Sequence, residues 1–233
     1  MVDLSQRSST EEIMDDLASS GPVISQTLQE LETINTLLGG NYVTLNGLDR
    51  LINGKALKGT LRIADLGCGG GDILRLISNW LEKKEINAEL IGFDANPNII
   101  DFARKHTHQK NISYQSVNIF SEEFKAQKFD IVVSTLFFHH FTSDQLADFL
   151  SQLRSQTTIG IVINDLHRQW LAYYSIKWLT ALFSKSPMVK NDAPLSVARS
   201  FRKNDWINIL ERAGIQNYKM RWMWAFRWQI VIG

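Results

Sequence analysis

The feature that most constrains the fold is a glycine-rich turn between a short apolar run and a helical segment. Residues 61–66 read as a buried strand, residues 65–72 read DLGCGGGD, and helical spacing of apolar residues follows. Glycine has no side chain, so the backbone of such a turn can approach a ligand closely. A strand, a glycine turn and a helix in this order predict the ligand-binding edge of an α/β sheet.

The rest of the chain continues this alternation of short apolar runs and helical segments. Such alternation is typical of parallel strands joined by crossover helices. The last helix is expected over residues 203–213, and an alternating, strand-like tail follows over 215–232. Further strands are predicted at residues 89–93, 112–117, 129–134 and 159–163, and helices at 72–84, 97–107, 143–155 and 168–183.

Two regions flank this pattern. Helices predicted over residues 10–18, 23–38 and 43–52 indicate an N-terminal helical cap over residues 1–55, which leaves residues 56–233 for the α/β domain. Residues 184–200 contain Pro187 and Pro194 and little periodicity, which favours a long loop. Together with the preceding helix it is interpreted as a lid insertion over about 166–200.

Composition excludes several classes of protein. A chain of 233 residues with 44% hydrophobic content can bury one substantial core. Its net charge of +1 does not call for nucleic acid as a partner. Cys68 is the single cysteine, and the acidic N-terminal residues lack a secretory pattern, so a cytoplasmic location is expected. The apolar stretch 170–183 is shorter than the roughly 20 residues of a spanning helix, so no integral membrane segment is expected.

The charges around the glycine turn indicate the ligand. A dinucleotide-binding turn has its third glycine where this chain has Asp72, and a carboxylate there would repel a pyrophosphate. A ligand with a cationic end, such as an amino acid's ammonium group, fits better. Asp94 follows the second strand, where a carboxylate can accept hydrogen bonds from both hydroxyls of a ribose. These charges favour S-adenosylmethionine over a nicotinamide dinucleotide.

These residues resemble the Rossmann-like S-adenosylmethionine-dependent methyltransferases, whose first motif is an acidic residue, an apolar residue and Gly-x-Gly-x-Gly. The resemblance implies an open, mostly parallel seven-stranded sheet with helices on both faces, and S-adenosylhomocysteine as product. It implies that Asp65 contacts the ammonium group, directly or through water, and that Asp72 orders that end. The other cofactor-binding residues it implies are Gly67, Cys68, Gly69, Gly71, Asp94, Ala95, Asn118, Ile119, Ser134 and Thr135.

Histidines after the fourth strand are the candidate catalytic residues. The segment STLFFHHF, residues 134–141, resembles the pocket-lining segment of small-molecule methyltransferases related to the ubiquinone and menaquinone C-methylating enzymes. An ordinary histidine, with a pKa near 6.5, can take a proton from a phenol. His140 and His139 are therefore candidate bases, with His167 as a third, although either neighbouring histidine can equally serve only to hold the loop. No metal site is predicted.

Substrate contacts are expected beyond the fifth strand. Tyr42, Arg168 and Arg199 are the predicted substrate-binding residues, but Arg168 can instead pair with Asp165 or cap the next helix, and Arg199 has the same ambiguity. The C-terminal third is rich in aromatic residues, which suits a flat, apolar acceptor.

Several short segments are similar to bacterial methyltransferases of polyketide and aromatic-pigment pathways. They lie within residues 13–16, 34–40, 164–168 and 196–201. The resemblance implies a phenolic acceptor under a lid, with O-methylation favoured and C-methylation possible. Two alternatives remain: a non-catalytic S-adenosylmethionine-binding module, or a methyltransferase of quinones or lipids at a membrane surface. A small molecule is the expected partner, and the chain is expected to be a monomer or a homodimer.

Overall fold

The computed structural model describes residues 2–57 and 59–233, and within them the chain forms one open sheet of seven strands in the order β3-β2-β1-β4-β5-β7-β6. Only β7 runs antiparallel to its neighbours, β5 and β6. The predicted mostly parallel, seven-stranded sheet is therefore confirmed. Its strands are β1 Leu61–Leu66, β2 Ala88–Asp94, β3 Ile112–Ser116, β4 Phe129–Thr135, β5 Thr157–Leu166, β6 Tyr218–Met223 and β7 Arg227–Ile232.

Helices connect these strands and extend the N-terminus. Short 3-10 turns lie at Ile13–Asp15 and Phe138–His140. The α-helices are α1 Gly21–Leu37, α2 Gly40–Ile52, α3 Asp72–Lys83, α4 Pro97–Lys105, α5 Glu122–Lys125, α6 Ser143–Gln156, α7 Trp170–Phe183, α8 Pro187–Arg199 and α9 Lys203–Arg212. None of the helices in the described part of the chain is long and apolar enough to cross a bilayer.

The sheet carries a hydrophobic core on each face. Side chains of α2, α3 and α4 pack on one face, and those of α5, α6 and α9 pack on the other. Helices on both faces were predicted, and the structure confirms them. A third, smaller core joins α1, α4 and α8 above the end of the sheet.

Helix α3 shows how local sequence positions a functional side chain. Ile73, Leu74 and Ile77 are buried and repeat at helical spacing, so the segment packs one apolar face on the sheet. Asp72 occupies the first turn, where a negative charge is favourable to the helix dipole. The helix therefore starts at the carboxylate that the glycine turn presents.

The predicted helix over residues 10–18 is wrong. Only the turn Ile13–Asp15 forms, and none of its residues is buried. Side chains here take the backbone donors: Asp15 Oδ2 accepts from the Glu12 N–H at 2.9 Å, and Asp16 Oδ1 accepts from the Ala18 N–H at 2.9 Å. Such local bonds compete with helix formation.

The predicted loop over residues 184–200 is also wrong, because most of it forms helix α8. Ser186 caps this helix by accepting from the Val189 N–H at 3.3 Å, and Pro187 suits its first turn. Pro194 lies inside the helix and is itself buried there. Burial against neighbouring helices therefore outweighs the cost of the missing donor.

The C-terminal tail folds as a hairpin. Residues 224–226 form the turn between β6 and β7, so the strand-like tail predicted over 215–232 consists of two antiparallel strands. Trp222 and Trp224 are exposed, whereas Trp228 is buried. The tryptophans of the tail therefore lie in different environments.

Candidate functional site

A large cavity lies at the carboxyl ends of β1, β2, β4 and β5. Its volume is about 840 Å³, near the upper end of the usual range for ligand pockets. Residues after each strand form its floor, while α1, α7, α8 and residues 12–17 close over it. Ligands of open α/β sheets bind at this edge.

The glycine turn borders this cavity, but its glycines serve different purposes. A Cβ at Gly67, where φ is +66°, would lie 2.3 Å from the Phe137 ring. A Cβ at Gly71 would lie 2.1 Å from the Tyr114 hydroxyl. At Gly69 the nearest atom, in Leu28, would be 3.8 Å away. Two of the glycines thus make room for protein side chains, and Gly69 presents the open surface to a ligand.

Asp65 is a buried carboxylate whose two oxygens have no hydrogen-bond partner among the described residues. Burial, followed by the charges of Asp72 and Asp94, raises its pKa well above the usual value. Burial also raises the pKa of Asp72 to about 6, with Glu32 as the next cause. Unpartnered buried carboxylates are costly. A cationic ligand would relieve this cost.

Asp94 ends β2 and faces the cavity beside the turn. Its Oδ1 accepts from the Asn96 N–H at 3.0 Å and its Oδ2 from the Gly69 N–H at 3.3 Å. A carboxylate has further lone pairs. Asp94 is thus fixed in place and can still accept bonds from a ligand.

Other predicted cofactor-binding residues divide into two groups. Asn118 borders the cavity, with its Oδ1 already accepting from the Phe120 N–H at 2.9 Å. Ser134 is buried beneath the cavity floor, where its hydroxyl donates to the Leu66 carbonyl at 3.4 Å, and Gly71 also lies outside the lining. Those that border the cavity are Cys68, Ala95, Ile119 and Thr135.

Both histidines of the loop after β4 border the cavity, and a carboxylate holds each ring. His139 Nδ1 lies 2.7 Å from Asp165 Oδ1, and its backbone N–H donates to Asp165 Oδ2 at 2.9 Å. His140 Nδ1 lies 2.6 Å from Asp15 Oδ1. In each ring this leaves Nε2 as the nitrogen that is available for chemistry.

The N-terminal segment completes the histidine cluster, which the sequence did not indicate. Glu12 Oε1 lies 3.6 Å from His139 Nε2, and burial raises the pKa of Glu12 to about 7. Arg199 pairs with Asp15 and donates to the His140 carbonyl at 2.9 Å. Arg199 therefore ties this segment to the histidine loop and does not line the cavity, contrary to its predicted contact with substrate.

Three further predicted residues lie away from the cavity lining. Tyr42 is exposed on the outer surface of α2. His167 packs against Trp228 outside the cavity, so it is not placed for catalysis. Arg168 is buried and donates to the N-terminal segment, at 2.7 Å to the Leu4 carbonyl and at 2.9 Å to the Ser5 carbonyl. It also donates to the Ser200 carbonyl at 3.0 Å and to Asp205 at 2.8 Å.

Arg227 is a cavity residue that the sequence reasoning missed. Its guanidinium is buried and its Nε has no partner among the described residues. One contact is long: Nη1 lies 3.4 Å from Asn164 Oδ1. Burial lowers the pKa of Arg227 to about 10. The sequence offers one signal for this residue, namely an arginine at the start of an otherwise mostly apolar final strand.

Comparison with known proteins agrees with this geometry. A family model described as a methyltransferase domain matches residues 63–160. A ubiquinone biosynthesis O-methyltransferase of Cereibacter sphaeroides is 27% identical over 71% of this chain and 67% of its own length. An enzyme of the same description from Coxiella burnetii is 36% identical over 45% of this chain and 42% of its own length. The chain spans between about a third and two thirds of the length of the curated relatives it matches.

Solved structures show the same fold. The plantazolicin methyltransferase BpumL, in complex with S-adenosylhomocysteine, has a TM-score of 0.62 and 19% identity over 85% of this chain and 77% of its own. Human N-acetylserotonin methyltransferase, in complex with S-adenosylmethionine, has a TM-score of 0.63 and 14% identity over 90% of this chain and 55% of its own.

Residues 63–160 thus match a methyltransferase domain, and the chain has the fold of S-adenosylmethionine-dependent methyltransferases. These two neighbours were solved with S-adenosylhomocysteine or S-adenosylmethionine bound. The residues of the site fit S-adenosylmethionine, because the two buried oxygens of Asp65 have no partner among the described residues and Gly69 leaves the turn open beside Asp94.

Proposed function

We propose that this protein methylates a hydroxyl oxygen on a small, apolar, aromatic acceptor. The observation that carries the proposal is that one cavity joins the carboxylates of the glycine turn to an apolar chamber and the histidine pair. Cofactor and acceptor would thus share one enclosed space. S-adenosylmethionine, when bound, would supply the methyl group, and its sulfur would leave with the bonding electron pair as the acceptor oxygen bonds to the methyl carbon. The hydroxyl proton would pass to Nε2 of His140, whose Nδ1 is held by Asp15.

The cofactor end of the cavity is assigned to charged and polar residues. Asp65 and Asp72 would bind the ammonium group, and Asp94 would accept from the ribose hydroxyls. Asn118 and the backbone of Ile119 border the same cavity and would meet the adenine. Holding the reacting atoms in line is the main source of rate acceleration in such a reaction.

The acceptor end is apolar. Its walls combine α1, α7 and the loop after β4, and most of the exposed lining of the whole cavity is carbon. The lining includes Leu31, Ile34, Leu38, Phe137, Leu171 and Leu179. This surface suits a flat ring with few polar groups. The names of the ubiquinone O-methyltransferases among the relatives support an aromatic hydroxyl as the acceptor.

Helices α1, α7 and α8 are proposed as a cover over the reacting atoms. They belong to the segments 1–55 and about 166–200, which the sequence separates from the repeating strands and helices. Each contributes lining residues on the side of the cavity opposite the sheet. Closure would exclude water from the sulfonium and hold the acceptor in place.

A membrane-delivered acceptor is a second candidate, because large apolar side chains are exposed beside the cavity. Trp178 and Phe183 on α7 are 67% and 77% exposed. Trp224 is 66% exposed and also borders the cavity. Aromatic residues with one apolar and one wet side are typical of interfaces with lipid. A quinone-like acceptor would then enter from the bilayer.

Calorimetry and turnover test the main proposal. The purified protein should bind S-adenosylhomocysteine and S-adenosylmethionine but not NADH, and should release S-adenosylhomocysteine when supplied with substituted phenols. Turnover of a phenol would be supported by the mass of its methyl ether. Tight cofactor binding without turnover of any phenolic, quinol or lipid acceptor would favour the non-catalytic module.

A further inference from the structure

The N-terminal segment and the loop after β4 bring three potential metal ligands together. Glu12, His139 and His140 each offer one ligand atom, and these atoms lie within 4.8 Å of one another. The gap between His139 Nε2 and Glu12 Oε1 is 3.6 Å. Ligand atoms that are bound to one metal at about 2.0–2.2 Å lie roughly 3–3.5 Å apart. Small side-chain movements would therefore suffice for coordination.

Each histidine is already oriented as a metal-bound histidine usually is. Asp165 holds Nδ1 of His139 and Asp15 holds Nδ1 of His140. In metal sites the second ring nitrogen commonly donates to a carboxylate, which fixes the tautomer and leaves Nε2 free to coordinate. The two carboxylates fit that outer role.

Two buried atoms of this cluster make no hydrogen bond among the described residues. His139 and Glu12 are 2% and 7% exposed, and neither His139 Nε2 nor Glu12 Oε1 has a hydrogen bond among the described residues. Such pairs of orphaned atoms are rare, since each carries a desolvation cost. Both belong to one cluster and border the cavity, so one cation would satisfy both.

The charged groups around the cluster include more carboxylates than guanidinium groups, which favours a cation. Three carboxylates face the cluster, namely Glu12, Asp15 and Asp165. Two guanidinium groups oppose them. Arg199 pairs mainly with Asp15 and lies 3.6 Å from Glu12 Oε1, and Arg7 donates to the His139 carbonyl at 2.9 Å.

We propose that Glu12, His139 and His140 bind a divalent first-row transition-metal ion. Two imidazoles and one carboxylate suit zinc, iron or manganese better than magnesium, which prefers oxygen ligands throughout. Three protein ligands leave an open position, and the cavity provides space for an acceptor oxygen there. This inference goes beyond the proposed function, since metal binding can be measured without an acceptor.

The test uses Co²⁺ and Zn²⁺ as probes on protein that has been freed of metal with a chelator and dialysed. The wild type should bind one equivalent of Co²⁺ with visible d–d absorption, and Zn²⁺ should displace it. Glu12→Gln and His139→Asn should each weaken Co²⁺ binding at least tenfold. Asp15→Asn, which alters an outer partner, should weaken it about 10–100-fold.

Controls separate this outcome from misfolding and from failure of the proposed function. His108→Gln alters an exposed histidine outside the cavity and should bind Co²⁺ as the wild type does. Calorimetry with S-adenosylhomocysteine shows that each variant retains its fold. Absence of stoichiometric Co²⁺ binding by protein that binds S-adenosylhomocysteine would overturn the proposal, as would equal Co²⁺ affinity in all variants. The histidines would then serve as bases or as loop supports.

Discussion

The backbone N–H of Gly69 donates to Oδ2 of Asp94 over 3.3 Å, so the two halves of the cofactor site are bonded to each other. Gly69 is the open glycine of the turn after β1, and Asp94 ends the neighbouring strand β2. The carboxylate is thus oriented by the turn before any ligand binds. Preorganisation of this kind lowers the entropic cost of binding.

Asp94→Ala should weaken binding of S-adenosylhomocysteine about 100-fold. The variant loses hydrogen bonds from the ribose hydroxyls to a charged acceptor, each of which contributes about 1.5–3 kcal/mol. It also frees the Gly69 N–H. Calorimetry measures the change, with Asp101→Ala as a control on an exposed helical site. Unchanged affinity in Asp94→Ala would show that the ribose lies elsewhere.

Affinity for S-adenosylhomocysteine should rise as the pH increases from 5 to 7. The pKa of Asp72 is raised to about 6, so this group is largely protonated at the start of that range. In the free protein the raised pKa means that stability falls as the pH increases from about 4 to 6. A bound ammonium group favours the ionised carboxylate, so the ligand affinity changes in the opposite direction.

Asp72→Asn is the matched variant for this pH dependence. It should bind S-adenosylhomocysteine more weakly at pH 7 and show a flatter pH profile between 5 and 7. Calorimetry at several pH values, with buffers of matched ionic strength, gives both curves. If the affinity of the variant for S-adenosylhomocysteine depends on pH as steeply as that of the wild type, the titrating group is not Asp72.

Most of the fold and the cofactor edge could be predicted from sequence because both depend on local patterns. The glycine turn begins at the end of β1, and Asp94 is the last residue of β2, so the place of each strand in the sheet fixes their position in space. Glu12 and Asp15 could not be placed in this way. They reach His139 and His140 through long-range contacts of a segment that forms only one short 3-10 turn. No periodicity in the sequence encodes such a contact.

The same limit applies to Arg168, for which the sequence predicts a substrate contact but leaves a structural role open. Its position after β5 is correct for a cavity residue, but its side chain turns towards the N-terminal segment and bonds Leu4 and Ser5. Neither its rotamer nor the path of that segment can be read from the sequence. The rule that residues after parallel strands lie at the ligand-binding edge locates the backbone of Arg168, but it does not give the direction of its side chain.

Arg168→Met should destabilise the protein and leave the cofactor affinity nearly unchanged. The change removes a buried cation from three carbonyls and from Asp205, with which it forms an ion pair. Breaking one side of a buried pair costs on the order of 3–5 kcal/mol. Urea unfolding measures the loss, and calorimetry with S-adenosylhomocysteine provides the comparison. A normal free energy of unfolding with a raised KM for the acceptor would restore the substrate role.

The aromatic surface of α7 should bind lipid if the acceptor comes from a membrane. Trp178→Ser together with Phe183→Ser removes two exposed side chains and leaves the cavity lining intact. The wild type should co-sediment with phosphatidylglycerol vesicles, and the double variant should do so several-fold less. Val23→Ser, at an exposed site on α1, is the control. If the wild type does not sediment, the membrane route is excluded for that lipid.

Arg227 should select acceptors that carry a carbonyl or carboxylate oxygen beside the hydroxyl group. Its guanidinium is buried at the cavity, and its Nε has no hydrogen-bond partner among the described residues, so it would gain from an oxygen ligand. Arg227→Met should therefore lower kcat/KM for such acceptors about 10–100-fold, in line with about 1.5–3 kcal/mol for a hydrogen bond to a charged group. Simple phenols should lose much less.

Arg227→Lys separates charge from geometry, because lysine keeps the charge but lacks the planar fork of donors. It should recover only part of the preference for carbonyl-bearing acceptors. Binding of S-adenosylhomocysteine is the discriminating measurement, since the cofactor has a carboxylate of its own. If Arg227→Met reduces that affinity as strongly as it reduces kcat/KM, the guanidinium binds the cofactor, and the predicted selection of acceptors is wrong.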